Sequence, residues 1–161
     1  MTVCQKTLFL LLLVVIHLSA CKNRQEPLTK LTLNVSSEFD INTMEDGQAA
    51  PLQIRLYELG SKTLFEQADF LDLYLQDGST LQDSLIKKHP LLAFHPGERR
   101  KLTFKLDNAT RYIAILAEFA SYTTAVTRAV KGIKTGENNL LTLVIAENHL
   151  RLVSTPEKNG Q

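Results

Sequence analysis

The chain has 161 residues, of which 44% are hydrophobic and 22% charged, enough for one packed domain and too few for two ordinary ones. Lysine and arginine total 18 against 17 acids, and because Lys6 is the only charge before Cys21, the remainder carries 17 of each. Such a balance lacks the uncompensated cations that phosphate contacts demand, so no nucleic-acid partner is expected. The two cysteines are Cys4 and Cys21, which excludes a disulfide or a cysteine metal site from any domain that follows them; at this size a hydrophobic core suffices.

Residues 1–20 read as a signal peptide. Lys6 supplies the positive charge, and Leu8 to Leu18 is an apolar run interrupted only at His17. A membrane-spanning helix would need roughly 20 apolar residues, so this shorter run is a cleaved signal rather than an anchor. Leu18-Ser19-Ala20-Cys21 closes the run and resembles the lipobox of bacterial lipoproteins, in which small residues precede a cysteine that is acylated before the signal is removed. The resemblance implies lipidation of Cys21 with three acyl chains, the covalent lipid being the only cofactor expected. One chain binds a membrane marginally, at ~0.8 kcal/mol per buried methylene, whereas two or more hold it stably. Lys22 stands where an aspartate typically retains such proteins at the inner membrane, so the implied destination is the periplasmic face of the outer membrane. Residues 21–29 form a polar lipidated tether whose eight residues after Cys21 reach at most roughly 26 to 29 Å.

The rest of the chain reads mainly as strands. Lys30 to Ser36 alternates, with Leu31, Leu33 and Val35 on one side, and predicts a half-buried strand. Leu52 to Leu59 predicts a second, with Leu52, Ile54 and Leu56 opposing Gln53 and Arg55. Between them, Ser37 to Pro51 is a long acidic loop, and loops of that length in compact domains are commonly functional or disordered. Ser61 is placed to cap a helix from Lys62, with Leu64, Ala68, Leu71 and Leu75 on one face and Asp77-Gly78 as the stop. Asp69 offers an alternative second cap, which favours two short helices. Pro90 to Phe94 predicts a short extended edge before a Pro96-Gly97 turn. Further strands are predicted over Arg100 to Leu106, Tyr112 to Phe119, Thr124 to Val130, Leu140 to Ala146 and, after a Glu147-Asn148 turn, His149 to Val153. Seven or eight strands with a short helical insertion indicate an antiparallel all-β sandwich over residues 30–153, with a disordered tail over 154–161.

Several segments together resemble TssJ, the lipoprotein family of the type VI secretion system. They are the lipobox at Cys21, Arg55-Leu56-Tyr57, Phe65-Glu66-Gln67-Ala68-Asp69-Phe70-Leu71-Asp72-Leu73-Tyr74, Phe94-His95-Pro96-Gly97-Glu98, and Tyr112 to Phe119. Thr127-Arg128 departs from the Trp-Arg of many relatives. The resemblance implies a transthyretin-like sandwich that binds the periplasmic C-terminal domain of the inner-membrane protein TssM through the loop between the first two strands. Here the implied partner-binding residues are Phe39, Asp40, Ile41, Asn42, Thr43, Met44, Glu45 and Asp46. Phe39, Ile41 and Met44 would be apolar anchors, and Asp40, Glu45 and Asp46 would meet basic groups on a rim.

Enzymatic chemistry finds little support in the sequence. After Cys21 the histidines are His89, His95 and His149, of which His89 and His95 precede prolines in what reads as loop. No G-x-S-x-G elbow, phosphate-binding glycine loop or H-E-x-x-H helix occurs, so no catalytic residue and no small-molecule substrate is expected. Asp69, Asp72, Asp77 and Asp83 lack the alternating oxygen ligands of a calcium loop and are better explained by helix capping and solvation, so no metal is expected. Another outer-membrane lipoprotein role on the same fold, as assembly factor or small-ligand binder, is the alternative reading.

Overall fold

The structure is a computed structural model that describes residues 27–155. The signal peptide, Cys21, most of the tether and the tail after Thr155 lie outside the described residues. Eight strands form two four-stranded sheets. The first has the order β4-β1-β7-β8, from β1 (Lys30–Ser37), β4 (Arg99–Lys105), β7 (Asn138–Ala146) and β8 (His149–Ser154); the second has the order β3-β2-β5-β6, from β2 (Ile54–Leu59), β3 (Leu85–Pro90), β5 (Tyr112–Ala117) and β6 (Arg128–Gly132). The sandwich is mostly antiparallel, as expected, with one exception: β1 pairs with β7 in parallel register over Lys30 to Ser37.

Leu31, Leu33 and Val35 of β1 point inward and meet Ile54, Leu56, Ile113, Ile115, Leu141 and Leu143 in the sandwich core. The second sheet is covered on its other face too. Helices α1 (Thr63–Gln67) and α2 (Phe70–Leu81) lie over it, and Phe65, Leu73 and Leu81 close against Tyr57, Leu59, Ala114 and Leu116 in a second core. This third layer explains why β5 is a continuous apolar run: both its faces are buried.

The insertion is two helices, as favoured, but their buried face differs from the expected one. Ala68 is extended, and that break resets the helical phase, so the spacing of Leu64, Ala68, Leu71 and Leu75 does not continue across it. Leu71 and Leu75 are consequently exposed. The backbone leaves helical geometry at Gln76, one residue before the expected Asp77-Gly78 stop, and then resumes it to Leu81. Pro90 to Phe94 is likewise corrected. The strand runs from Leu85 to Pro90, and only Phe94 forms a bridge, to Leu52. The sixth strand starts four residues later than expected, at Arg128. Ser154, placed in the tail, ends β8, and the Thr155 N–H donates to Leu140 O.

A polar cluster fastens α2 to the sheet. Arg55 Nε donates to Glu118 Oε1 at 2.6 Å and its Nη1 to Asp77 Oδ2 at 3.3 Å. The Tyr57 hydroxyl donates to the same Oδ2 at 2.9 Å, and Lys88 Nζ reaches both Asp77 oxygens at 2.9 and 3.1 Å. Asp77 is therefore a buried hub, not the solvated or capping residue its position suggested. Burial pushes the Tyr57 hydroxyl far above its ordinary pKa, and the Asp77 carboxylate adds to that. Burial also tends to raise the Asp77 pKa, but hydrogen bonds from Lys88, Tyr57 and Arg55 outweigh it and hold the carboxyl below its usual range. A carboxyl lowered on folding contributes stability that is complete above its unfolded pKa of about 3.9 and is lost as pH falls through the folded value. Asp77→Asn is therefore expected to destabilise the domain by about 1 to 3 kcal/mol at neutral pH. In urea unfolding, the gap between the two proteins should narrow as pH drops below about 4.

Candidate functional site

The loop between β1 and β2 is long but held at many points. The Glu38 N–H donates to Ile145 O and the Gly97 N–H to Glu38 O, both at 2.9 Å, which fixes the loop's start between β7 and the turn before β4. Ile41 is fully buried in the sandwich core. Beside it, Asn42 adopts a positive φ of 50°, a conformation asparagine tolerates better than most residues. Its N–H donates to Glu147 O, its Nδ2 donates to Pro51 O at 3.0 Å, and its Oδ1 accepts from the Ala120 N–H at 2.8 Å. Asn42 thus ties the loop's middle to its own end and to two other connections at the same end of the sandwich.

These two anchors divide the eight expected contact residues. Ile41 and Asn42 face inward, where the core and the hydrogen-bond hub use their side chains. Thr43 is half-buried and its hydroxyl donates to Asp40 O. Phe39 is 83% exposed and Met44 46%, and Asp40, Glu45 and Asp46 are exposed with them. The Phe39 ring lies over Gly97, where φ is +74° and a Cβ would collide with the ring's edge. A cleft of about 400 Å³ separates Met44, Glu45 and Asp46 from Ala120 and Ser121. The result is a hydrogen-bonded end surface with two exposed apolar groups set among carboxylates.

A second polar cluster escaped the sequence reading. Glu58 points into the sandwich and is fully buried. Its Oε1 lies 2.7 Å from His89 Nε2, and its Oε2 accepts from the Thr110 hydroxyl at 2.6 Å and from the Asp107 N–H at 2.8 Å. His89 therefore sits on β3, not in a loop, with its ring edge-on to Phe104 at 5.0 Å. The carboxylate, imidazole and hydroxyl do not form a nucleophile relay, because the hydroxyl donates to the carboxylate and not to the ring. Each group satisfies another inside the core, as buried polar groups must. Among the described residues, no group of three or more His, Cys, Asp or Glu is placed to hold a metal ion.

Residues 29–151 match the family described as "Type VI secretion lipoprotein, VasD, EvfM, TssJ". Among solved structures, the type VI lipoprotein TssJ1 of Pseudomonas aeruginosa is similar with 29% identity and a TM-score of 0.76, covering 81% of this chain and 98% of that one. Lip of Serratia marcescens, described as a membrane-bound component of the type VI secretion system, has 23% identity and a TM-score of 0.73 over 81% of this chain and 99% of its own. A chain in a structure named for the TssM C-terminal domain from EAEC shares the fold, with 21% identity and a TM-score of 0.63 over 78% and 98% of the two chains. Among curated proteins, none matches.

The division of the loop has a direct test. Asn42→Ala leaves the Ala120 N–H and Pro51 carbonyl without their partner and strains a positive-φ position. It is expected to cost about 2 to 4 kcal/mol of stability in denaturant titration, while Phe39→Ser, at an exposed site, changes stability by less than about 0.5 kcal/mol.

Proposed function

The chain belongs to the type VI secretion lipoprotein family, and from that premise we propose that it is a non-catalytic adaptor. Its acylated Cys21 holds the sandwich at the periplasmic face of the outer membrane, and the Ser37-to-Pro51 loop captures the periplasmic C-terminal region of TssM. The observation that carries this reading is the presentation of Phe39 and Met44 on a backbone fixed by Ile41 and Asn42. An aromatic ring standing 83% exposed on a backbone already hydrogen-bonded at Glu38 and Asn42 is an anchor that needs little backbone ordering on binding. The carboxylates of Asp40, Glu45 and Asp46 ring the apolar pair, which suits a partner surface with an apolar socket and a basic rim. The outer-membrane destination rests on Lys22 after Cys21, and the anchor rests on the lipobox that precedes it.

Two measurements test the two halves separately. Phe39→Ser should weaken binding of the lipoprotein to a TssM periplasmic fragment by roughly 30-fold, the loss of one central hot-spot side chain, with the fold intact; unchanged affinity would remove the loop from the interface. Cys21→Ser should take up no labelled palmitate and leave the membrane fraction while the sandwich stays folded. Labelled lipid in that variant would contradict the anchor.

A further inference from the structure

The equal totals of acid and base conceal an uneven distribution. Alternation and register place Lys30, Thr32, Asn34 and Ser36 of β1 on the outward face of the first sheet, beside Arg99, Lys101, Thr103 and Lys105 of β4. On the other side of β1, the outward positions of β7 are Asn138, Leu140, Thr142 and Val144, and β8 adds His149, Arg151 and Val153. That face holds five Lys or Arg side chains and no carboxylate. None of the five makes a salt bridge or a side-chain hydrogen bond among the described residues, whereas Arg55, Lys88 and Arg100 are all paired. Lysines and arginines on β4 are in part what an edge strand needs to repel another strand. That need does not account for Lys30, which lies on a strand paired on both sides, nor for the absence of any acid across four strands.

We propose that this face lies against the anionic phospholipid headgroups of the membrane that carries the anchor. The inference rests on the lipidation of Cys21. Three observations converge on it. Lys30, the first residue of β1, belongs to the face, so the tether from Cys21 enters the domain at the face's own edge. The eight strand positions of β1 span about 26 Å, within the roughly 26 to 29 Å that the tether can reach, so the whole face can lie down without straining the chain. Finally, Leu140, Val144 and Val153 stand between the flanking cations and are only partly buried, a mixture of apolar and basic side chains suited to a headgroup layer. Headgroup attraction fades within about 8 Å at physiological salt. A domain standing upright on its Lys30 end would therefore leave Arg99 and Lys101 too far from the surface to be held, whereas one lying flat engages all five.

The test uses the lipidated protein in vesicles, with a spin label on Ser36→Cys at the loop end of the face and, separately, on Leu75→Cys of the helical layer. With Cys21 acylated and Cys4 removed with the signal, the new cysteine is the only free thiol. In vesicles of equimolar phosphatidylcholine and phosphatidylglycerol, the Ser36 label should lose several-fold accessibility to a water-soluble nickel relaxant and the Leu75 label should not. Protection should vanish in pure phosphatidylcholine, in high salt, and in the Arg99→Glu, Lys101→Glu, Lys105→Glu triple variant. Equal nickel access at both sites in the anionic vesicles would overturn the proposal. So would protection that appears only when a TssM periplasmic fragment is added, which would assign the face to an acidic protein surface. Flotation with pure phosphatidylcholine vesicles reports the anchor independently: a protein that floats there but shows no protected face has lost only this inference.

Discussion

The strand β1 is the element on which the rest depends, because it is paired along both edges and joins the two working ends of the protein. Its antiparallel ladder with β4 and its parallel ladder with β7 run nearly its whole length, and Leu31, Leu33 and Val35 lock its inner side into the core. At its base, Thr29 is fully buried; its Oγ1 accepts from the Gly136 N–H at 2.8 Å, and its carbonyl from the Leu106 N–H at 3.0 Å. At its other end, the Ser37 hydroxyl donates to His95 O at 2.7 Å. A pull along this strand loads its ladder bonds together, where a pull on an edge hairpin would open them one after another. Under the function proposed above, the tether precedes β1 and the partner-binding loop follows it, which puts both attachments on the axis of this strand.

The loop's order follows from the same economy of anchoring. Fifteen residues free between two strands would lose their ordering entropy on binding. Ile41 and Asn42, buried near its middle, divide the segment into two short spans, and within the second the Met44 N–H donates to Gln48 O while the Gln48 N–H donates to Asp46 Oδ1 at 3.0 Å. Ile41 and Asn42, apolar and polar residues in a stretch that reads as exposed, are the ones that hold Phe39 and Met44 at the surface. Outward and inward side chains thus alternate along a few adjacent positions.

That alternation marks where sequence legibility ended. β1, β5, β7 and β8 were readable because their burial follows local patterns: strict alternation where one face is wet, a continuous apolar run where both are covered. β3 was not, since Lys87-Lys88-His89 carries no apolar signal; Lys88 and His89 have their places only because Asp77 and Glu58 arrive from elsewhere in the chain. The helical face was misplaced for a related reason. A single extended residue at Ala68 rotates everything after it, and nothing local distinguishes Leu73, which is buried, from Leu71 and Leu75, which are not. Within the candidate site, the loop's position was legible and its inner and outer residues were not, because Ile41 and Phe39 are alike in hydropathy and differ only in what lies beneath them.

The same limit applies to charge. A count taken along the chain sees 17 cations against 17 acids after Cys21 and reports neutrality, but folding sorts them in space. Asp69, Asp72 and Asp83 are exposed on the helical layer, while Lys30, Arg99, Lys101, Lys105 and Arg151 share the outward face of the opposite sheet. Neutrality in total removes the long-range pull toward a charged surface; it does not remove the torque, since a body with separated charge turns in a field whatever its sum. For a free protein that torque would act only during rare encounters. A lipid anchor keeps the domain within a tether's length of the headgroups at all times, so a modest charge asymmetry suffices to set which way the domain faces, and with it the direction in which Phe39 and Met44 are offered.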